Sequence, residues 1–343
     1  MPERFAVRVV TDETYGDGVY ELLDREAGSS ARVAPAVGNN LFSLRAPIGG
    51  REGGREGGRA MEAFLRAEQQ GRGFPFGNPI LFPYPGRVRG GRFSFGGRDY
   101  QLDVVPQMGN AIHGLVLRRP WKVEESGATD EGARVVASLD SADHSEITRQ
   151  WPFPFRISIG FTLSGDTVLL EAEATNVGAG PLPMGFGIHP WFRLPLAEAG
   201  SRERCLVRVP ARRLWEVEPS ILPTGRIVDP PAERDFHEIR PIGQTTLDDT
   251  YTDVVLENGE SECLYRDPAA GAEVSVRADG AFREMIAYAP PHLPAICLEP
   301  YTCVPDALNL QPKGLDAGLM VLAAGASWRG KIWISLRPSK GDS

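Results

Sequence analysis

Residues Phe155 to Ala174 read Phe-Arg-Ile-Ser-Ile-Gly-Phe-Thr-Leu-Ser-Gly-Asp-Thr-Val-Leu-Leu-Glu-Ala-Glu-Ala. Two runs rich in aliphatic, aromatic and β-branched residues flank the short segment Ser164-Gly-Asp166. Runs of this length that are joined by turn residues including glycine are typical of an antiparallel hairpin. The stretch therefore predicts two paired strands, and most of the chain repeats the same kind of pattern.

A second hairpin is predicted where Arg92-Phe-Ser-Phe95 turns at Gly96-Gly97 into Asp99-Tyr-Gln-Leu102. Long helical patterns are scarce, and short β-rich runs alternate with glycine and proline along the whole chain. The sequence thus predicts an all-β protein made of antiparallel sheets, with residues 1–343 as a single domain. Further strands are expected at Phe5–Val10, Arg134–Leu139, Cys205–Val209, Glu273–Arg277, Glu284–Tyr288 and Lys331–Leu336.

One segment departs from this pattern. Gly49 to Gly58 is a nearly duplicated Gly-Gly-Arg-Glu tract, and its glycine and charge content leaves little apolar surface to bury. We expect a Gly/Arg-rich surface insertion at about residues 49–60, followed by a short helix from Arg59 to about Gln69.

Composition excludes several classes of function. The 37 basic and 45 acidic residues give a net charge of -8 without a long basic run, which argues against nucleic acid or an anionic membrane as partner. Since no stretch of 18 apolar residues and no signal-peptide pattern is present, we expect a soluble, cytoplasmic protein, either a monomer or a homodimer. The four cysteines lack Cys-x-x-Cys spacing and are expected to be buried free thiols.

Two histidines and one glutamate stand in unusually apolar surroundings. They are His113 in Asn-Ala-Ile-His-Gly-Leu, His189 in Gly-Ile-His-Pro-Trp-Phe and Glu299 in Ile-Cys-Leu-Glu-Pro-Tyr. Titratable side chains are costly to hold among apolar neighbours unless something engages them. The three segments therefore predict one site assembled by the fold, with imidazole and carboxylate available for proton transfer in an enzyme.

Each candidate also has a purely structural interpretation. His113 fits a hydrogen-bonded core histidine, Glu299 fits a buried salt bridge, and Arg87 in its proline-rich loop fits an ordinary surface arginine. Arginine also offers donors suited to a polyhydroxylated ligand, and the aromatic residues beside His189 suit the C–H faces of a sugar. Asp248 and Asp249 fit a turn cap as well as a site.

Seven blocks of the sequence, taken in order, resemble those of the aldose 1-epimerase (galactose mutarotase) family, over about Asn78 to Asn309. Each block is weak alone, and their shared order carries the resemblance. The blocks are Asn78-Pro-Ile-Leu-Phe-Pro-Tyr-Pro-Gly-Arg-Val, Asn110-Ala-Ile-His-Gly-Leu, Trp151-Pro-Phe-Pro-Phe-Arg, Thr175-Asn-Val-Gly, Met184-Gly-Phe-Gly-Ile-His-Pro-Trp-Phe, Leu247-Asp-Asp-Thr-Tyr and Cys297-Leu-Glu-Pro-Tyr.

The resemblance implies a galactose mutarotase-like β-supersandwich that interconverts the α and β anomers of a free aldose without cofactor. No metal is expected, because the imidazoles and the carboxylate are then assigned to protons and hydroxyls. It implies that His189 is the general acid and Glu299 the general base. Arg87, His113 and Asp248 would bind the sugar hydroxyls, with the assignment of Asp248 over Asp249 resting on the alignment. Many family members carry Asn before the arginine, where this chain has Gly86.

Other functions remain open from the sequence. A glycosidase would use Asp248 and Glu299 as a carboxylate pair, and a cupin-like metalloenzyme would need His113, His189 and Glu299 to converge on one ion. A carbohydrate-binding protein of the same fold would lack catalysis. A hexose-6-phosphate mutarotase would need further basic residues near the cleft, for which Arg72 and Arg89 are candidates.

Overall fold

The computed structural model describes residues 3–49, 58–66 and 76–339 and consists mainly of antiparallel strands. In chain order the strands are β1 (Phe5–Asp12), β2 (Gly16–Asp24), β3 (Ser29–Ala34), β4 (Asn40–Ile48), β5 (Arg59–Glu62), β6 (Ile80–Leu81), β7 (Arg87–Val88), β8 (Arg92–Phe95), β9 (Arg98–Gln101), β10 (Ala111–Ile112), β11 (Lys122–Ala128), β12 (Ala133–Asp140), β13 (Phe155–Ser164), β14 (Thr167–Asn176), β15 (Leu182–Met184), β16 (Gly187–Ile188), β17 (Trp191–Arg193), β18 (Leu206–Arg208), β19 (Ala211–Val217), β20 (Pro223–Val228), β21 (Arg240–Pro241), β22 (Leu247–Val254), β23 (Glu260–Asp267), β24 (Ala272–Asp279), β25 (Glu284–Ala289), β26 (Ala295–Tyr301), β27 (Met320–Leu322) and β28 (Ser327–Pro338).

Helices within the described ranges are short. They are α1 (Ser145–Gln150), α2 (Ala307–Leu310) and the 3-10 segments Arg89–Gly91, Ser141–Asp143, Arg202–Arg204, Ala232–Arg234 and Gln311–Lys313. None of the described helices is long and apolar enough to cross a membrane.

Three sheets contain most of the strands. The first runs β1-β2-β3-β4-β5, and the second, with nine strands, runs β11-β12-β13-β14-β28-β24-β23-β18-β21. The third, with eight strands, runs β20-β19-β22-β25-β26-β16-β6, with β17 also paired to β26. The predicted all-β class, with large antiparallel sheets and few short helices, is confirmed. Two-stranded pairs β7-β10, β8-β9 and β15-β27 complete the described strands.

The predicted hairpins have the expected geometry. β13 and β14 pair from Phe155 opposite Asn176 to Ser164 opposite Thr167, which leaves a two-residue turn. β8 and β9 pair across Gly96 and Gly97, whose φ values of 59° and 75° suit a tight hairpin turn that glycine adopts without strain. The further predicted strands correspond to β1, β12, β18, β24, β25 and β28.

One continuous cluster of buried apolar side chains extends from Phe5 in β1 to Leu336 in β28. β14 shows how it forms, because every second residue along this strand is buried while the alternate residues are partly exposed. The four cysteines are buried free thiols, as predicted. The cluster holds the sheets that carry the candidate site in fixed positions.

The predicted helix from Arg59 is wrong where the structure describes it. Arg59–Glu62 forms β5 and pairs with β4, and the Glu62 carboxylate accepts hydrogen bonds from the Leu44 and Phe64 backbone N–H groups at 3.0 Å. The free edge of β4 offers this segment a ladder of backbone hydrogen bonds, and that tertiary context overrides its local helical pattern. Residues 50–57 of the Gly/Arg-rich tract and residues 67–69 lie outside the described residues.

The core makes a direct prediction about stability. Phe161 in β13 is fully buried, so Phe161→Ala should lower the free energy of unfolding by about 3–5 kcal/mol. Val177→Ala is the control, since Val177 is 49% exposed and should change stability by about 0.5 kcal/mol at most. Urea unfolding measures both, and equal effects of the two substitutions would contradict this description of the core.

Candidate active site

Three neighbouring strands form the floor of the candidate site. β22, β25 and β26 lie side by side, and their registers align Thr250 with Ile286 and Ile286 with Glu299. Residues two apart on a strand face the same side of the sheet. The next row on the same face therefore contains Asp248, Tyr288 and Cys297.

The connection between β16 and β17 brings His189 to this floor. β17 pairs with β26, with Trp191 opposite Cys297, and the His189 backbone N–H donates to the Pro79 carbonyl oxygen at 3.0 Å. The His189 ring stacks on the Trp191 ring with centroids 4.8 Å apart. The imidazole is thus fixed in orientation by its own short connection.

His189 and Glu299 face each other in the protein interior. The His189 Nε2 atom lies 3.4 Å from Glu299 Oε1, and their side chains are only 8% and 1% exposed. The Tyr301 hydroxyl donates a 2.7 Å hydrogen bond to Glu299 Oε2. Both carboxylate oxygens therefore have a defined neighbour, which fixes the carboxylate relative to the imidazole.

Burial dominates the protonation of this pair. It lowers the pKa of His189 to about 3, and it raises the pKa of Glu299 well above its usual range. The hydrogen bond from Tyr301 opposes the rise for Glu299, whereas the charge of Asp248 adds to it. Burial thus favours neutral forms of both side chains, with a proton held on Glu299 more readily than on an ordinary glutamate.

Arg87 and His113 are held together by the pairing of β7 with β10. Ile112 lies opposite Arg87, and the His113 backbone N–H donates to the Gly86 carbonyl oxygen at 2.7 Å. His113 has a φ of 60°, a left-handed conformation that is uncommon for a residue other than glycine. Its ring meets the His189 ring edge to face at 5.1 Å. Burial, followed by the charges of His189 and Arg87, keeps the pKa of His113 well below its usual value.

The structure separates the two adjacent aspartates. Asp248 faces the floor of the site, where burial raises the pKa of its carboxyl and the charge of Arg87 opposes the rise. Asp249 is buried and forms an ion pair with Arg234. Because neighbouring residues on a strand point to opposite faces, only one of them can face the site.

All five residues assigned from the sequence line one cavity of about 590 Å³, namely Arg87, His113, His189, Asp248 and Glu299. Sequence reasoning missed several other lining residues. Tyr301 carries a readable signal, since it lies two positions after Glu299 on the same strand. The others depend on strand register or loop conformation and include Arg118, Ile221, Thr250, Ile286 and Tyr288.

The structure also accounts for Gly86 and Arg89. Gly86 has a φ of 68°, and a Cβ atom there would lie 2.6 Å from Pro305 Cγ, so an Asn at this position would collide with Pro305.

Arg89 does not line the cavity. It forms an ion pair with Glu218 at 2.9 Å and contacts Asp306. Arg72 lies outside the described residues.

One group of side chains in the described ranges has the donor set of a metal site. The donor atoms of His189, Cys297 and Glu299 all lie within 4.8 Å of one another. Cys297, not His113, supplies the third donor in this group. Burial, and then the charges of Glu299 and Asp248, raise the pKa of the Cys297 thiol well above its usual value, so a metal ion would have to displace the thiol proton in order to bind there.

Comparisons with known proteins find relatives of this chain in Escherichia coli. The chain is 26% identical to the uncharacterized protein YihR of Escherichia coli (strain K12) over 252 residues, which cover 73% of this chain and 76% of YihR. It is 28% identical to the uncharacterized protein YphB of the same organism over 255 residues, or 72% of this chain and 79% of YphB.

Solved structures show the same fold at low sequence identity. A galactose mutarotase-like protein from Clostridium acetobutylicum superposes with a TM-score of 0.81 at 18% identity, covering 97% of this chain and 99% of the other. Galactose 1-epimerase from Lactobacillus acidophilus NCFM gives a TM-score of 0.75 at 17% identity, covering 98% and 100%. The family model described as Aldose 1-epimerase matches residues 66–335, well over half of the sequence, and the chain therefore belongs to the aldose 1-epimerase family.

Proposed function

We propose that this protein is an aldose 1-epimerase that interconverts the α and β anomers of a free hexose such as glucose or galactose, without a cofactor and as a single domain. The observation that carries the proposal is the buried contact of 3.4 Å between His189 and Glu299, at the floor of a cavity lined by further polar groups. An acid and a base in one fixed, desolvated position are what the opening of a hemiacetal ring requires.

In the proposed reaction Glu299 accepts the proton of the anomeric hydroxyl while His189 donates a proton to the ring oxygen. The bond between C1 and the ring oxygen breaks, and the open aldehyde forms. After rotation about the C1–C2 bond, the hydroxyl that was the ring oxygen attacks the other face of the carbonyl. The two proton transfers then run in reverse and restore both side chains.

The proposed reaction needs the pair in a form that holds one shared proton. Ring opening starts from ionised Glu299 and protonated His189, whereas burial alone favours neutral Glu299 and neutral His189. These two forms differ by one proton transfer across the 3.4 Å contact. The hydrogen bond from Tyr301 stabilises the ionised carboxylate, and the hydroxyls of a bound sugar would replace part of its lost hydration.

Arg87, His113 and Asp248 are proposed to bind the hydroxyls and to orient the ring. The stacked pair of His189 and Trp191, with the Tyr288 ring edge to face against Trp191 at 5.7 Å, offers an aromatic surface for sugar C–H groups. Proton transfer and the binding of sugar hydroxyls would thus be carried out by different residues of one cavity.

One observation favours a second candidate substrate, a hexose 6-phosphate. Arg118 is exposed and lines the same cavity, so it could meet an anionic group, whereas Arg89 is engaged by Glu218. Polarimetry with glucose and glucose 6-phosphate separates the two substrates. A clear preference for the phosphorylated sugar would reassign the substrate while leaving the acid–base assignment in place.

Polarimetry of freshly dissolved α-D-glucose and α-D-galactose tests the activity itself. We expect the purified protein to accelerate the approach to anomeric equilibrium, and dialysis against a strong chelator should leave the rate unchanged. Loss of activity that zinc or manganese restores would contradict the acid–base mechanism and favour a metalloenzyme built on His189, Cys297 and Glu299.

Removing either proton carrier should nearly abolish catalysis. Glu299→Gln keeps the shape but cannot accept the anomeric proton, so the rate should fall on the order of 10²-fold to 10⁴-fold, and His189→Asn should behave similarly. Glu257→Gln is the control, since the Glu257 side chain is 73% exposed. A Glu299→Gln protein that equals this control would remove Glu299 from the mechanism.

The residues assigned to binding should give a different kinetic result. Arg87→Ala and His113→Asn should mainly lower kcat/KM, because neither side chain is assigned a transferred proton, and kcat should fall only as far as misalignment spoils the reaction. Initial rates over a range of galactose concentrations measure both constants. Wild-type rates at sub-saturating sugar would place the substituted residue outside the binding site.

The shared proton predicts a bell-shaped pH profile for kcat/KM. Acidification adds a second proton to the pair of His189 and Glu299 and so removes the base. The acid limb of the profile should lie at low pH, because burial lowers the pKa of His189 to about 3. Alkali removes the shared proton and hence the acid, and this limb reflects the raised pKa of Glu299. Mutarotation rates from acid to alkaline pH test this, and activity that only rises with pH would contradict it.

A further inference from the structure

We propose that the turn Glu218–Leu222, called here the rim turn, sets substrate specificity in this site, with Ile221 as its contact residue and Arg89 as its positioning residue. The inference rests on the proposed function, because it concerns the sugar that the site admits. The rim turn connects β19 to β20 and is closed by backbone hydrogen bonds from Glu218 to Leu222 at 2.9 Å and from Ile221 to Glu218 at 2.8 Å.

Ile221 reaches the cavity in a strained backbone conformation. It lines the same cavity as His189 and Glu299, and its φ is 59°. A β-branched residue is a genuine outlier in this left-handed region, where glycine is the ordinary choice. Such strain persists only where the surroundings hold it, and it is found most often at ligand contacts.

Arg87 and Arg89 hold the rim turn against the segment on which both arginines lie. The Arg87 Nη1 atom donates to the Ser220 carbonyl oxygen at 2.7 Å. Two positions later, the Arg89 guanidinium donates to both carboxylate oxygens of Glu218, at 2.9 and 3.0 Å. The rim turn therefore directly restrains Arg87, which is proposed to bind the substrate.

Arg89 is itself anchored to the body of the site. Its backbone N–H donates to Asp306 Oδ1 at 2.9 Å, and the Asp306 backbone N–H donates to the Arg87 carbonyl oxygen at 2.7 Å. Asp306 is buried and follows Pro305, which lines the cavity and blocks any side chain at Gly86. Through Arg89, the contact with Glu218 thus attaches the rim turn to the buried residue Asp306 beside the cavity.

The Arg89–Glu218 ion pair acts mainly by positioning the rim turn, and it adds little to the stability of the protein. The two side chains are 44% and 38% exposed, and exposed pairs of this kind add little to the free energy of unfolding. Without the pair, only the backbone hydrogen bonds of the rim turn and the hydrogen bond from Arg87 to the Ser220 carbonyl oxygen would hold Ile221 at the cavity. We therefore expect the rim turn to exclude sugars that carry a large substituent, such as reducing disaccharides.

The experiment compares two glutamates of the same hairpin. Glu218→Ala removes the contact with Arg89, and Glu216→Ala, the control, removes a similar ion pair with Arg226 at 3.0 Å. For galactose we expect Glu218→Ala to raise KM on the order of fivefold with little change in kcat, whereas the control matches wild type. Glu218→Gln keeps one acceptor for Arg89 and should recover part of the loss.

Ile221→Gly tests the contact residue separately from stability. Glycine accepts the left-handed conformation, so the melting temperature should be unchanged or higher, while KM for galactose rises and the kcat/KM of lactose relative to galactose increases. Kinetics like those of the Glu216→Ala control, or activity lost only in proportion to a lowered melting temperature, would overturn the inference. Absence of activity in the wild type would instead reject the proposed function, and this inference with it.

Discussion

The candidate site depends on holding a glutamate and a histidine in contact at buried positions. Isolated charges are costly to bury, and here the cost appears as opposite shifts in the pKa values of His189 and Glu299. Strand pairing offsets this cost, because β25 and β26 fix Glu299 within a sheet and β17 ties the histidine to the same strand. A contact built on paired strands leaves little freedom for the two groups to move apart.

The floor and the rim of the cavity are constructed differently. Floor residues belong to paired strands of a large sheet, which holds their geometry within narrow limits. Rim residues such as Arg87 and Ile221 lie on a two-residue strand and a turn, where hydrogen bonds and an exposed ion pair set their positions. Under the proposed function, the base Glu299 would lie on a paired strand, whereas the residues proposed to select the sugar would lie where the chain can vary without disturbing the large sheet.

Some of these features could be read from the sequence, and others could not. His189 and Glu299 stand out because titratable side chains are rare in apolar runs, and the hairpins stand out because their turns need glycine. Local pattern does not give strand register, which is why Asp248 could not be told from Asp249 by residue type alone. The expected helix after Arg59 fails for a related reason, since the segment pairs with β4. Ile221 gives no signal, because its role arises from a backbone conformation that isoleucine rarely adopts.

If the buried pair of His189 and Glu299 opens the sugar ring, the protein accelerates the exchange of anomers at equilibrium. Magnetisation transfer between the C1 protons of α- and β-galactose can be measured by NMR in the presence of the wild-type protein and of the Glu299→Gln variant. We expect exchange in proportion to wild-type concentration, and catalysed exchange that is slower on the order of 10²-fold to 10⁴-fold with the variant. Equal exchange with both proteins, or spontaneous exchange with both while galactose is bound, would contradict it.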